Sequence, residues 1–97
     1  MTVEDQVVAW LARQDVDAYL VGGCVRDRIL GRTSHDLDVA VSGDGTVLAR
    51  RLADSLGADY YALDRERGTG RAILRLPEGE RLLVDIARFR GDDLAAD

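Results

Sequence analysis

The sequence predicts a single small α/β (α+β) domain, in which helices pack on a mixed β-sheet. The chain has 97 residues, which is enough for one domain with a modest core. Hydrophobic residues make up 46% of it, a proportion typical of globular proteins. Stretches with helical spacing of apolar residues alternate with short β-prone runs in the order α-β-α-β-α-β-β-β. No repeat or linker interrupts this order, so we expect residues 1–97 to form one domain.

Each predicted element rests on its apolar spacing and on residues that mark its ends. The predicted helices cover residues 3–13, 25–30 and 46–56, and the predicted strands cover residues 18–21, 36–41, 60–63, 71–76 and 81–87. Thr2, followed three residues later by Asp5, is typical of a helix N-cap with an acidic first turn. Gly31 and Gly57 follow the second and third helices, where glycine commonly forms the C-cap.

Glycine-bearing and polar segments predict the turns between the strands. The first strand ends at Gly22-Gly23, and residues 64–70 form a polar loop. Residues 77–80 read Pro-Glu-Gly-Glu and predict the turn of a β-hairpin between the last two strands. We therefore divide the chain into an amino-terminal helix at residues 1–15, an α/β core at residues 18–90 and an acidic tail at residues 91–97.

Charge and cysteine content exclude several classes of function. Eighteen acidic residues against 13 basic ones give a net charge of −5, which argues against a protein that coats RNA, because phosphate binding needs a basic face. The single cysteine, Cys24, excludes an internal disulfide and indicates a reducing compartment. No apolar run approaches the ~20 residues that cross a bilayer, and the first residues are too acidic for a secretion signal. We therefore expect a soluble, cytoplasmic domain with no membrane partner.

Two carboxylates on one predicted strand are the first candidate site. Asp36 and Asp38 are two residues apart, so both project from one face, while Leu37 and Val39 face the core. Adjacent carboxylates repel unless a cation lies between them, and their oxygens suit Mg²⁺ or Mn²⁺. Asp85, on another strand, also needs a cation, a partner or solvent. Three such carboxylates could hold two metal ions for phosphoryl transfer, although a solvated Asp-x-Asp pair remains an alternative.

A glycine pair upstream is the second candidate site. Gly22 and Gly23 end a strand and precede a predicted helix, so backbone N–H groups and the helix dipole could bind an anion there. Arg26, in the first turn of that helix, could add a planar donor fork. An ordinary glycine turn beside a surface arginine is the alternative. The Asp-x-Asp pair a dozen residues later favours a phosphate cradle beside a metal site.

The motif Leu-Val-Gly-Gly-x-Val-Arg-Asp within residues 19–32, followed by His-Asp-Leu-Asp-Val at residues 35–39, resembles the signature of class II tRNA nucleotidyltransferases. These are the CCA-adding enzymes and their bacterial poly(A) polymerase relatives, in the DNA polymerase β-like superfamily. Leu63-Asp64, Arg-Gly-Thr at residues 67–69 and Val-Asp-Ile-Ala-x-x-Arg at residues 84–90 also resemble that family's head domain. The resemblance extends from residue 19 onward and implies a polymerase β-like palm fold.

The resemblance implies a role for each matching residue. The metal-binding, catalytic carboxylates would be Asp36, Asp38 and Asp85. The nucleotide-binding residues would be Gly22, which shapes the turn, Gly23, Arg26 and Arg32, the last as a phosphate or RNA contact. Asp27 would hold the loop, and Cys24 is expected to be a packing residue. His35 stands where many relatives have lysine, so a basic contact there would depend on pH.

The implied reaction is metal-dependent transfer of a nucleotide from CTP or ATP to an RNA 3′-hydroxyl, with Mg²⁺ or Mn²⁺ as cofactor. Addition of the CCA end to tRNA is the expected reaction of the parent enzyme. The chain ends before the family's next motif, so we expect a head-domain fragment whose RNA partner is bound by regions outside it. The alternatives are a bacterial poly(A) polymerase head domain and a nucleotide- or metal-binding fragment with little activity of its own. The sequence leaves the oligomeric state open.

Overall fold

The structure is a computed structural model, and it describes residues 2–22, 29–31 and 35–89. Its elements are α1 (Val3–Ala12), β1 (Ala18–Val21), β2 (Asp36–Val41), α2 (Gly45–Leu56), β3 (Asp59–Asp64), β4 (Thr69–Arg75), a 3₁₀ turn (Pro77–Gly79) and β5 (Arg81–Arg88). The predicted helix over residues 25–30 lies outside the described residues except at its last two positions. The predicted acidic tail over residues 91–97 also lies outside them.

The five strands form one mixed sheet in the order β1-β2-β5-β4-β3. Strands β2 and β5 are parallel, and every other neighbouring pair is antiparallel. A parallel pair needs a crossover connection, and the segment containing α2, β3 and β4 supplies it. The predicted hairpin between the last two strands is confirmed, since β4 and β5 pair from Thr69 opposite Ala87 to Arg75 opposite Arg81. A mixed sheet with helices packed on it confirms the predicted fold class.

One face of the sheet forms the core with both helices. The alternate residues of β2 point into this core, with Leu37 fully buried and Val39 only 2% exposed, as the sequence predicted. The rest of the core comes from both helices and from β2, β4 and β5: Val7, Trp10, Leu11, Val41, Leu48, Ala49, Leu52, Ala53, Ala72, Leu74, Leu82, Val84 and Ile86. On the opposite faces, β2 carries Asp36 and Asp38 and β5 carries Asp85, because side chains alternate along a strand. No helix of the described residues is long and apolar enough to span a membrane.

The loop predicted over residues 64–70 is shorter in the structure, because β4 begins at Thr69. Thr69 and Gly70 extend the ladder opposite Ala87 and Ile86. Only glycine fits at position 70, because α2 crosses the strand closely there. A Cβ at Gly70 would lie 2.9 Å from the Cα of Thr46. The glycine that favours a loop in the sequence is therefore a site of close helix–strand approach in the fold.

The start of α2 is capped by Asp44. Its Oδ1 accepts hydrogen bonds from the Thr46 N–H at 2.9 Å and from the Thr46 hydroxyl at 2.6 Å. The Arg88 guanidinium lies 3.6 Å from Oδ2, so this cap also ties α2 to the end of β5. These hydrogen bonds, first that of the Thr46 hydroxyl, lower the pKa of the Asp44 carboxyl from its ordinary value of 3.8.

Removal of this cap gives a prediction on stability. Asp44→Ala should lower the free energy of unfolding by about 1 kcal/mol, because the Thr46 N–H loses its acceptor. The lowered pKa means that the charged cap stabilises the fold at and above about pH 5, and that this contribution fades as the pH falls below 3.8. Urea unfolding of the unmodified protein and of the variant at pH 7 and at pH 3 checks it, with Asp44→Asn as a cap that does not titrate. A loss on Asp44→Ala that is equally large at both pH values would contradict the role of the charge.

Candidate functional site

The open face of the sheet, opposite the core, brings the three predicted carboxylates onto adjacent strands. Asp36 and Asp38 project from β2 on this face and are exposed, as their alternation with buried neighbours predicted. In the parallel pairing of β2 with β5, Asp38 lies directly opposite Asp85. Asp85 in turn lies opposite Arg71 on β4. One row across three strands therefore consists of Asp38, Asp85 and Arg71.

Gly22 forms the turn at the edge of this row. It follows β1 with a φ of 76°, a left-handed conformation that favours glycine. Val21, the residue before it, pairs with Asp38, and a Cβ on Gly22 would lie 3.3 Å from Asp38 Oδ2. The glycine turn and the carboxylates are thus neighbours, as the predicted cradle requires. Three other predicted nucleotide contacts, Gly23, Arg26 and Arg32, lie outside the described residues, as do Cys24 and Asp27.

The carboxylates act on one another electrostatically. Partial burial, and then the negative charges of Asp85 and Asp36, raise the pKa of the Asp38 carboxyl above its ordinary value of 3.8, while the nearby Arg71 guanidinium opposes the shift. Negative charges on neighbouring strand positions repel one another, and a bound cation would relieve this repulsion. The donor set, consisting of carboxylate oxygens, is also the one that Mg²⁺ and Mn²⁺ prefer. The residues present therefore fit a divalent cation in both charge and donor type.

Arg71 is a basic residue of this face that the sequence motifs did not predict. Its Nε donates a hydrogen bond to Asp85 Oδ1 at 2.7 Å, and its Nη2 donates to Asp85 Oδ2 at 3.0 Å. Both side chains are partly exposed, at 33% and 26%. The partner expected for Asp85 is thus a guanidinium on the next strand. Counting back from the predicted turn at residues 77–80 places residue 72 opposite residue 85, on the wrong face. The observed turn spans Pro77–Gly79, and the register that it sets places Arg71 opposite Asp85.

The pairing with Arg71 changes the arrangement of the predicted metal site. Within residues 2–22, 29–31 and 35–89, no group of three or more His, Cys, Asp or Glu side chains is close enough to hold a metal ion. Asp85 instead directs both carboxylate oxygens to the guanidinium. The structure brings the three carboxylates onto one face, but it does not join them into a finished coordination sphere.

His35 lies at the start of β2, next to the carboxylates. Its backbone carbonyl accepts a hydrogen bond from the Leu83 N–H at 2.9 Å, which continues the parallel pairing with β5. Its ring Nε2 lies 3.0 Å from a carboxylate oxygen of Glu80, and both side chains are about half exposed. The observed role of His35 is thus to join the start of β2 to the segment before β5.

A groove beside α1 carries no such chemistry. It has a volume of about 290 Å³ and lies between α1 and β1, where Val8, Leu11 and Val39 are among its lining residues. Its apolar lining, with Asp17 as the acidic residue, lacks the paired carboxylates of the open face. The open face is therefore the candidate functional site.

Solved structures of tRNA nucleotidyltransferases share this fold. A crystal structure of a tRNA nucleotidyltransferase complexed with a primer tRNA and an incoming ATP analog is similar, with a TM-score of 0.63. The similarity comes with 30% sequence identity and covers 90% of this chain and 23% of that one. Residues 18–97 match the family described as the poly(A) polymerase head domain. The chain therefore belongs to this family, which confirms the membership that its motifs predicted.

Curated relatives agree with this assignment. The chain is 41% identical, over 92 residues, to the CC-adding tRNA nucleotidyltransferase of Geobacter sulfurreducens, a match that covers 94% of this chain and 21% of that protein. It is 37% identical over 76 residues to the A-adding tRNA nucleotidyltransferase of the same organism, covering 78% of this chain and 8% of the other. The chain thus spans at most about a fifth of the length of these two relatives.

Proposed function

We propose that the chain is the catalytic head of an RNA nucleotidyltransferase that adds nucleotides from CTP or ATP to the 3′ end of tRNA. The observation that carries this proposal is the alignment of Asp38 on β2 with Asp85 on β5, beside Asp36 and the Gly22 turn, in a chain of this family. The relatives named for CC addition and A addition support tRNA as the acceptor. We further propose that the protein acts in the cytoplasm, in keeping with its single cysteine.

In the proposed reaction, the terminal 3′-hydroxyl oxygen bonds to the α-phosphorus of the nucleotide. The bond from that phosphorus to the bridging oxygen of the β-phosphate breaks, pyrophosphate leaves with the electron pair, and the hydroxyl proton is released to solvent. A bound Mg²⁺ or Mn²⁺ would neutralise phosphate charge and lower the pKa of the attacking hydroxyl. The residues that would hold it are Asp36 and Asp38, with Asp85 as the third carboxylate.

The glycine turn is proposed to bind the triphosphate. Gly22 has the left-handed backbone that such a turn needs, and its position against Asp38 Oδ2 places it beside the carboxylates. We assign the adjoining Gly23 and Arg26 to phosphate binding, and Arg32 to a phosphate or RNA contact, on the family motif. Backbone N–H groups and guanidinium groups are suited to this task because they present fixed donors to phosphate oxygens.

Poly(A) addition is the second candidate reaction, because the matching family is named after the head domain of poly(A) polymerase. Both reactions use the same head chemistry and differ in the acceptor and in the choice of nucleotide. The length of the two relatives also supports an arrangement in which other parts of a longer protein hold the RNA. On this view the described face carries the chemistry, and the acceptor is selected elsewhere.

The length and sequence of the product test this proposal. The intact protein, given Mg²⁺ and a tRNA that lacks its CCA end, should extend it by two nucleotides with CTP alone or by three with CTP and ATP. A tRNA ending in CC should receive a single A if the protein adds A, and a long A tract would instead indicate poly(A) addition. Gel separation and sequencing of the products distinguish these results. Absence of extension on every acceptor would contradict the proposal.

A further inference from the structure

The ion pair between Arg71 and Asp85 occupies a carboxylate that the proposed reaction would use for metal. It is bidentate, with N–O distances of 2.7 and 3.0 Å, and paired contacts of this kind fix the plane of the carboxylate as well as its position. Neither side chain is deeply buried, so the guanidinium can leave without exposing a core. Asp85 therefore has a well-oriented partner in Arg71, and this partner can still be displaced by another cation.

The strand order explains why this pair affects the whole face. Strand β5 lies between β2 and β4, so Asp85 has Asp38 on one side and Arg71 on the other. Arg71 contacts Asp85 directly through two hydrogen bonds, and Asp85 lies opposite Asp38 in the parallel pairing of β2 with β5. The guanidinium is thus the counter-ion of Asp85, one strand away from Asp38.

We propose that Arg71 is a positioning residue that holds Asp85 while no metal is bound and competes with a divalent cation for that carboxylate. This inference rests on the proposed function of the carboxylates as metal ligands. Its consequence is that Asp85 can bind a cation only when its oxygens leave Arg71. Arg71 therefore limits how tightly the head binds metal before a nucleotide arrives.

Arg71→Gln tests this competition through metal binding alone. In the intact protein without nucleotide, Mn²⁺ binding, followed by electron paramagnetic resonance of the free ion, should become about tenfold tighter. The reason is that a unit positive charge no longer lies within a few ångströms of the cation, where such a charge has an effect of this order. Arg71→Lys keeps the charge and should bind Mn²⁺ within about threefold of the unmodified protein. Unchanged or weaker binding by Arg71→Gln would overturn the inference.

Arg75→Gln is the matched control. Arg75 lies on the same strand and the same face, four residues away, and its position in the ladder is opposite Arg81, whereas Arg71 is opposite Asp85. Its replacement removes the same charge and should leave the Mn²⁺ affinity unchanged. Equal tightening by Arg75→Gln and Arg71→Gln would show an effect of net charge alone and would overturn a specific role for Arg71.

An NMR titration of the unmodified protein tests the same competition and does not depend on whether Arg71→Gln folds. Titration with Mg²⁺ should shift the NMR signal of the Arg71 Nε–H group as its hydrogen bond to Asp85 is released, while the Arg75 signal stays in place. A fixed Arg71 signal at saturating Mg²⁺ would overturn the competition.

Failure of the inference and failure of the proposed function give different results. If Asp38→Asn weakens Mn²⁺ binding but Arg71→Gln does not tighten it, the metal site stands and the role of Arg71 fails. If Asp38→Asn binds Mn²⁺ as tightly as the unmodified protein, the carboxylates are not the metal site and both fail.

Discussion

Replacing Asp38 by asparagine should lower nucleotide addition about a thousandfold. A metal ion supplies several kcal/mol of charge stabilisation in such a transition state, and each ~1.4 kcal/mol changes the rate about tenfold. The amide keeps the shape of the side chain and removes the negative charge that would hold the cation. Partial burial and the charges of Asp85 and Asp36 raise the pKa of the exposed Asp38 carboxyl above 3.8, so its charged form is under strain and the fold should tolerate a neutral amide there. Single-turnover extension of a tRNA acceptor by the intact protein measures the rate, and thermal unfolding measures stability.

Asp59→Asn is the control for this prediction. Asp59 is an exposed aspartate at the start of β3, where it pairs with Ile73, two residues along β4 from Arg71. Its replacement changes the net charge by the same amount and should leave the rate within about twofold, because surface charges away from a site have small effects. An Asp38→Asn protein with a rate within a few-fold of the unmodified one would remove the carboxylate from the proposed chemistry.

Gly45→Ala should cost at least about 3 kcal/mol of the free energy of unfolding, because the added methyl group would overlap backbone atoms. Gly45 begins α2 at a buried position, and a Cβ there would collide with the carbonyl oxygens of Ile86 and Gly68. Backbone atoms of β5 cannot rotate away as a side chain can, so the helix or the strand must shift. For a domain with a stability of about 5–15 kcal/mol, this loss is a large fraction of the total. Urea unfolding of the intact protein measures it.

Gly43→Ala separates this clash from a general cost of replacing glycine. A Cβ at Gly43 would meet a side-chain carbon of Val16 at 3.5 Å, which is an ordinary contact. The substitution should change the free energy of unfolding by less than about 1 kcal/mol. Similar losses for Gly43→Ala and Gly45→Ala would contradict close packing of α2 on β5 as the cause.

Local signals account for most of the elements. Thr2 caps α1 as predicted, with its side chain accepting from the Asp5 N–H and the Asp5 side chain accepting from the Thr2 N–H. Gly57 ends α2 in the left-handed conformation, with a φ of 67°. These features depend on residues a few positions apart, so the sequence contains all that decides them. The start of β4 was predicted two residues too late, because it depends on a long-range contact. Gly70 fits into the strand where α2, which is distant in the sequence, packs closely against it.

The sequence by itself determined the family, the fold class and the common face of Asp36 and Asp38, because motif spacing and a period of two residues are local properties. Only the tertiary structure decided which charges meet. Asp85 lies opposite Asp38 because β5 inserts between β2 and β4, a strand order that no local periodicity encodes. The same strand order allows Asp85 to accept hydrogen bonds from Arg71, which is fourteen residues away in the sequence. The acidic residues of the candidate site can therefore be identified from the sequence alone, whereas its basic residue, Arg71, follows from the pairing of the strands.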